Sequence, residues 1–186
     1  MTISNNASQA NQTQLKDTQH YVQVAETAKV TLLLDRANDL HSVQTLVVVN
    51  TPRRGHIAAD ELQAQTPYDV SRLLDPASRG EIDSTVDRFR RGNTQILVAL
   101  HEIVVQQNCL VQQLADLVIN CDMPATKADY LRRCGIPGAD PAPYVISFVT
   151  PGDEALFADI RAIAKTQIKP LPENVVFEAQ YDAKKP

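Results

Sequence analysis

The chain has 186 residues, of which 44% are hydrophobic, 5% aromatic and 22% charged, and it carries a formal net charge of −4. This length predicts one well-packed domain and is too short for two ordinary domains. The acidic balance excludes a generally basic nucleic-acid-binding protein, and no apolar run approaches the roughly 18 residues of a membrane span.

Segments typical of strands and helices alternate along the chain after a polar leader. Residues 1–19 are rich in Asn, Gln, Ser and Thr, and this composition predicts a disordered segment. Apolar residues that alternate with polar ones or run continuously predict strands at 21–25, 45–50, 69–74, 95–99, 116–122 and 144–149. Apolar residues at helical spacing predict helices at 29–40, 54–65, 79–91, 102–114, 128–133 and 153–165.

The alternation of strands and helices determines the predicted fold class. Strands separated by helices of this length form βαβ units, whose right-handed crossovers make a sheet mainly parallel. We therefore expect an α/β three-layer sandwich over residues 20–178, with helices on both faces of the sheet and a tail at 179–186. Because this architecture carries many functions, the fold alone predicts no activity.

Side chains that could carry metal or nucleophilic chemistry are scattered along the chain. The histidines show no metal-ligand spacing and lie at His20, His41, His56 and His101. The cysteines form no CxxC pair, are more typical of core positions than of nucleophiles, and lie at Cys109, Cys121 and Cys134. Their odd number and wide spacing favour a reducing compartment, so we expect a cytoplasmic or nuclear protein without a metal site.

Four segments follow one another in the chain: LVVVNT at 46–51, DRFRRG at 87–92, DLVINCDMP at 116–124 and SFVTPGDEALFADI at 147–160. Their order and spacing resemble the second, RecA-like domain of DEAD-box RNA helicases, with the translation initiation factor 4A group as the nearest match. The resemblance runs from about residue 21 to about residue 177 and implies the RecA-like form of the sandwich. The chain contains neither GxxxxGKS/T nor DEAD, the motifs of the family's first domain.

The stretch RRCGIPGAD at 132–140 corresponds to motif VI of the resembled family, whose arginines stabilise charge on the transferred phosphate. Arg133 matches the first family arginine, with Arg132 before it, whereas Ile136 and Ala139 stand at the two later arginine positions. An aliphatic side chain cannot replace the guanidinium group of an arginine. Loss of an arginine that contacts the transferred phosphate lowers the rate of ATP or GTP hydrolysis by about 10³- to 10⁵-fold.

Motif V of the family is also altered. The corresponding stretch, LHEIVVQQNCL at 100–110, has neither the family's Asp nor its Arg-Gly pair. The family uses ATP and Mg²⁺, which the closing domain shares with a first domain. We therefore expect no ATPase activity and no bound cofactor from this chain on its own.

The resemblance also implies candidate RNA-binding residues, because the family places motif IV and the glycine after its FR-rich helix against the RNA backbone. These candidates are Asn50, Thr51, Arg53, Arg54, Arg90 and Gly92. An alternative is that Arg88, Arg90 and Arg91 form a solvated helix end favoured by the helix dipole. For Arg132 and Arg133, phosphate binding and a surface role both stay open.

Three functions remain compatible with these residues. The leading hypothesis is a non-catalytic DEAD-box-like domain that binds single-stranded RNA or helicase-regulating scaffold proteins in translation or RNA metabolism. A second hypothesis is that the chain completes an ATP-dependent RNA helicase together with a separate first domain. Ile136 and Ala139 disfavour this hypothesis. A third is a protein-only interaction module or a decaying paralogue. None of the three involves a membrane.

Overall fold

The computed structural model describes residues 19–37, 40, 43–75, 78–106, 114–134, 143–163 and 167–173. Most of the predicted leader, the predicted tail at 179–186 and residues 107–110 of the motif V stretch lie outside these ranges. Four singled-out positions also lie outside them, namely His41, Cys109, Ile136 and Ala139. In the described ranges, no helix has the length and hydrophobicity needed to cross a membrane.

A parallel sheet forms the centre of the fold. Its strands are β1 (Gln19–Gln23), β2 (Thr45–Val49), β3 (Val70–Leu73), β4 (Ile96–Leu100), β5 (Leu117–Asn120), β6 (Tyr144–Val149) and β7 (Lys169–Pro170). They lie in the order β3–β4–β2–β5–β6–β1–β7, and all six pairings are parallel. Continuous Val, Ile and Leu runs bury β2, β4 and β5 along their whole length. The six predicted strands are confirmed, whereas the Lys-Pro pair of β7 carries no alternation that could predict a strand.

Helices cover both faces of this sheet. Their bounds are α1 (Lys29–Ala37), α2 (Pro52–Gln65), α3 (Arg79–Arg90), α4 (His101–Gln106), α5 (Lys127–Arg133) and α6 (Glu154–Ile163), with 3-10 turns at Glu26–Ala28 and Pro151–Asp153. On one face, Leu33 of α1 and Leu62 of α2 share an apolar core with Val47 of β2. On the other face, Phe89 of α3 packs in a second core with Val48. The predicted three-layer α/β sandwich is therefore confirmed. Each of the six predicted helices overlaps an observed one, but residues 107–113 of the helix predicted at 102–114 lie outside the described residues.

The helices change faces at the carboxyl ends of β2 and β5. These two strands are neighbours, with Thr45 opposite Leu117 in the ladder. The helix α2, which follows β2, packs through Leu62 on one face. The helix α5, which follows β5, lies on the other face, where the hydroxyls of Tyr130 and Ser147 are 3.4 Å apart. The segments that follow β2 and β5 therefore flank a crevice, which is the usual location of ligand sites in open α/β sheets.

Gly92 ends α3, as the sequence predicts. Its φ of 72° lies in the left-handed region that glycine adopts without steric cost. The N–H groups of Gly92 and Asn93 donate to the carbonyls of Phe89 and Arg88, both at 3.0 Å. This turn carries the chain to the start of β4, at the amino edge of the sheet.

Candidate functional site

The crevice at the carboxyl edge of the sheet is a cleft of about 260 Å³. The segments after β2 and β5 line it, together with the 3-10 turns that precede α1 and α6. Its lining residues include Glu26, Lys29, Asn50, Thr51, Arg54 and Asp122. Because charged side chains of both signs meet in this cleft, their pairing decides which charges remain for a ligand.

Asp122 lies just after β5, and its carboxyl group joins three elements. One oxygen accepts a hydrogen bond from Nζ of Lys29 at 2.8 Å and pairs with Nε of Arg54 at 2.9 Å. The other oxygen accepts the backbone N–H of Asn50 at 2.9 Å. The Asp122 side chain is only 8% exposed, and a carboxylate this buried needs cations and donors around it. Asp122 therefore does more than occupy the strand-end position that the sequence indicates.

Glu26 completes a group that we call the carboxyl-edge network, defined as Glu26, Lys29, Arg54 and Asp122. One Glu26 oxygen lies 2.9 Å from Nζ of Lys29, and the other pairs with the Arg54 guanidinium. The Lys29 side chain is 4% exposed and the Glu26 side chain 57%. Burial disfavours the Lys29 ammonium, but its hydrogen bonds to Asp122 and Glu26 outweigh this and raise the pKa of Lys29. Lys29 is consequently a fixed positive charge at neutral pH.

The sequence patterns single out neither Glu26 nor Lys29 as a site residue. Lys29 shares one face of α1 with the buried Leu33 and Ala37. A lysine on the apolar face of a helix is the signal that identifies such a residue, because buried lysines are almost always paired. Its main partner, Asp122, is 93 residues away in the chain, so no local pattern names the pair.

Arg133 of α5 is fully buried and connects the ends of β2 and β5. Its Nη1 donates to the carbonyl of Asp122 at 2.5 Å, and its Nη2 donates to Oδ1 of Asn50 at 2.6 Å. Burial lowers the pKa of Arg133 to about 10, so the guanidinium stays charged at neutral pH. The surface role that the sequence left open for Arg133 is therefore wrong, because its neighbours enclose it completely.

His101, the first residue of α4, takes the third bond of Arg133. Its Nδ1 accepts from Nε of Arg133 at 3.0 Å. Burial and, secondly, the positive charge of Arg133 lower the pKa of His101. The neutral ring is thus the form that fits this contact, since a protonated Nδ1 could not accept a hydrogen bond.

The candidate residues that follow β2 have separate structural tasks. The Asn50 amide accepts from Arg133 and donates to the Met123 carbonyl at 2.7 Å. Thr51 is the N-cap of α2, where its hydroxyl accepts the N–H of Arg54 at 3.3 Å. Arg53 is exposed and forms no ion pair with the described residues. Arg53 therefore differs from Arg54: it faces solvent and has no acidic partner among the described residues.

Arg90 and Gly92 lie at the opposite edge of the sheet. Gly92 precedes β4, whose first residue, Ile96, pairs with Thr45 at the start of β2. The length of β2, about 16 Å for five residues, separates this region from the cleft. Arg90 and Arg91 both pair with Asp87, at 3.7 and 2.8 Å. The structure thus does not bring the two groups of candidate RNA-binding residues together.

Among the residues that the structure describes, the remaining reactive side chains form no second site. In the described ranges, no three His, Cys, Asp or Glu residues are grouped to hold a metal ion. Cys121 is buried, as predicted for a core position, while Cys134 is half-buried. Burial raises the pKa of both thiols to about 12, so neither is a thiolate at neutral pH.

Comparison with curated proteins gives a consistent set of relatives, although no protein-family model matches the chain. The ATP-dependent RNA helicase eIF4A of Meyerozyma guilliermondii is 30% identical over 159 residues, which are 84% of this chain and 39% of the relative. That of Aspergillus niger is 32% identical over 147 residues, or 76% of this chain and 36% of the relative. The chain therefore spans less than two fifths of the length of these relatives.

Comparison with solved structures gives the same fold. A structure of the E. coli DEAD-box protein SrmB bound to the regulator of ribonuclease activity A has a TM-score of 0.68 at 22% identity, and the match covers 86% of this chain and 92% of the matched chain in that structure. The C-terminal domain of the DEAD-box protein Dbp5 has a TM-score of 0.68 at 20% identity, covering 82% of this chain and 89% of that domain. The predicted RecA-like form of the sandwich is thereby confirmed.

Arg133→Met tests the buried connection between the ends of β2 and β5. The change leaves the Asp122 carbonyl and the Asn50 amide without a donor, so we expect a loss of about 3 kcal/mol in the free energy of unfolding, measured in urea. Arg132→Met is the matched control, because the Arg132 side chain is 62% exposed, and it should cost less than about 0.5 kcal/mol. Equal losses for the two variants would contradict the role given to Arg133.

Proposed function

We propose that this chain, a homologue of the C-terminal RecA-like domain of DEAD-box RNA helicases, acts as a non-catalytic module that binds a protein partner. A second domain that promotes ATP hydrolysis has to present cations to the negative charge that develops on the γ-phosphate. Motif VI supplies such cations in the resembled family, and here Ile136 and Ala139 occupy two of its arginine positions.

The observation that carries this proposal is the internal pairing of the cations at the carboxyl edge. Lys29 and Arg54 are neutralised by Glu26 and Asp122. Arg133 is buried and bonded to acceptors of the protein itself. In the free chain these side chains are paired with groups of the protein itself, which supports a binding role over a catalytic one.

A protein partner fits the charge and the fold better than a polyanion does. The chain carries a net charge of −4, and neutralising phosphates is the main source of affinity for nucleic acid. Proteins of the same fold are solved with protein partners: SrmB with the regulator of ribonuclease activity A, and the Dbp5 C-terminal domain with Gle1. By analogy with the eIF4A relatives, we place this role in translation or RNA metabolism in the cytoplasm.

Mixing the chain with the purified first domain of an eIF4A relative tests the non-catalytic role. We expect no RNA-stimulated ATP hydrolysis above that of the first domain alone, because Ile136 and Ala139 replace two of the motif VI arginines. The double variant Ile136→Arg/Ala139→Arg is the companion sample, and activity in it alone would assign the defect to these positions. RNA-stimulated hydrolysis with the unmodified chain would contradict the proposal.

RNA binding is a second candidate function, favoured by the exposed Arg53 in the first turn of α2. A related Dbp5 structure, with a TM-score of 0.67 at 20% identity, is bound to RNA and ADP BeF3. Arg53 has to be tested alone, because Arg54 holds Asp122 and its removal alters the network.

Binding of labelled oligo-uridine between about 50 and 200 mM salt separates this candidate from the protein-binding role. If RNA is the ligand, Arg53→Ala weakens binding and lowers the salt slope by about one, since one phosphate contact is lost. Arg90→Ala tests the second group of candidate residues, at the other edge of the sheet, and should leave that slope unchanged if RNA binds beside Arg53 alone. Under the protein-binding proposal we expect weak binding that neither change affects.

A further inference from the structure

Glu26 holds two different cations with its two carboxylate oxygens. One oxygen contacts Nζ of Lys29 at 2.9 Å, and the other contacts the guanidinium of Arg54. A carboxylate supplied by another molecule would meet the same donors, because the arrangement depends on the two cations and not on the backbone of Glu26. The structure thus displays a carboxylate site that is filled from within the chain.

The two cations are held independently of Glu26. Nζ of Lys29 lies 2.8 Å from Asp122, and Nε of Arg54 lies 2.9 Å from the same carboxyl group. The Lys29 side chain is almost completely buried, so packing also fixes its position. Both cations would remain in place after Glu26 had moved away, and the site would stay formed.

Glu26, in contrast, is weakly held. It lies in the short 3-10 turn before α1, where no residue is buried, and 57% of its side chain is exposed. Exposed ion pairs contribute only about 0.2 to 1 kcal/mol each, because water and salt compete with them. A ligand that brings its own carboxylate can therefore exchange with Glu26 at small cost.

We propose that Lys29 and Arg54 form a docking site for an acidic side chain of a protein partner, and that Glu26 occupies this site in the free chain. The inference rests on the protein-binding role proposed above and names the contact that performs it. The partner's Asp or Glu enters the cleft beside Thr51, displaces the Glu26 carboxylate and pairs with both cations. Because Glu26 competes for the two cations, only an acidic segment that reaches both of them binds in its place.

Charge favours a protein carboxylate over a nucleic-acid phosphate in this cleft. With Glu26 displaced, Lys29 and Arg54 contribute two positive charges, while Asp122 and Asp153 contribute two negative ones. A single incoming carboxylate then replaces the charge of Glu26 one for one. A nucleic-acid strand would bring successive phosphates against the two aspartates, and like charges at close range are repulsive.

The volume of the cleft agrees with this ligand class. Its 260 Å³ is below the roughly 300 to 1,000 Å³ of sites that enclose a drug-sized small molecule. One acidic side chain with its adjoining backbone fits such a space. The rest of a partner segment would then lie along the open surface of the domain.

Glu26→Gln tests the proposal, with a fluorescein-labelled (Glu-Gly)₄ peptide as the probe and anisotropy as the measurement. Removing the internal carboxylate should raise the affinity for the peptide by about 3- to 10-fold. Glu61→Gln on α2 is the matched control, because it removes the same formal charge outside the cleft. It changes the overall field as much as Glu26→Gln does but leaves Glu26 paired with Lys29 and Arg54, so the affinity should stay near that of the unmodified chain.

Amide chemical shifts then locate the bound peptide, and the largest changes should fall on Lys29, Thr51 and Arg54. Equal affinity of the two variants would overturn the proposal, as would a gain for oligo-uridine RNA without a gain for the peptide. Peptide-induced shifts confined to other surfaces would overturn the site while leaving the protein-binding function standing. That function fails separately, through RNA-stimulated ATP hydrolysis when the unmodified chain is mixed with the first domain.

Discussion

Asp122 connects the carboxyl edge of the sheet, because its oxygens receive donors from four other segments of the chain. Its carboxyl group holds Lys29 of α1, Arg54 of α2 and the backbone of Asn50 after β2. Its carbonyl receives Arg133 of α5. A buried carboxylate without such partners is strongly destabilising, so the positions of these donors depend on one another. Asp122 therefore positions the segments that line the cleft relative to one another.

This dependence accounts for the combination of a preserved fold with altered site residues. The aliphatic runs of β2, β4 and β5 form the sheet without any contribution from charged side chains. Three cations at the carboxyl edge, Lys29, Arg54 and Arg133, hold its segments together. Replacing arginines at positions such as Ile136 and Ala139 therefore removes chemistry that the described network does not require. Under the proposed function, a domain of this kind keeps a surface for binding without a capacity for hydrolysis.

The sequence predicts the fold better than it predicts the site, for reasons that particular residues illustrate. Runs such as the TLVVV of β2 and the stop at Gly92 are local signals, and both are confirmed. The burial of Arg133 is not a local property, because an Arg-Arg pair at the end of a short helix is typical of a surface. The Lys29–Asp122 pair joins residues 93 apart, and only the strand order brings them together.

The most direct measurement of the central claim is a double-mutant cycle between Lys29 and Asp122. Lys29→Met, Asp122→Asn and the double variant are unfolded in urea, and the coupling free energy is taken from the four unfolding free energies. We predict a coupling of about 1 to 3 kcal/mol, because the two groups are buried and in contact. Additive effects would show that the pair does not hold the carboxyl edge together and would contradict this account.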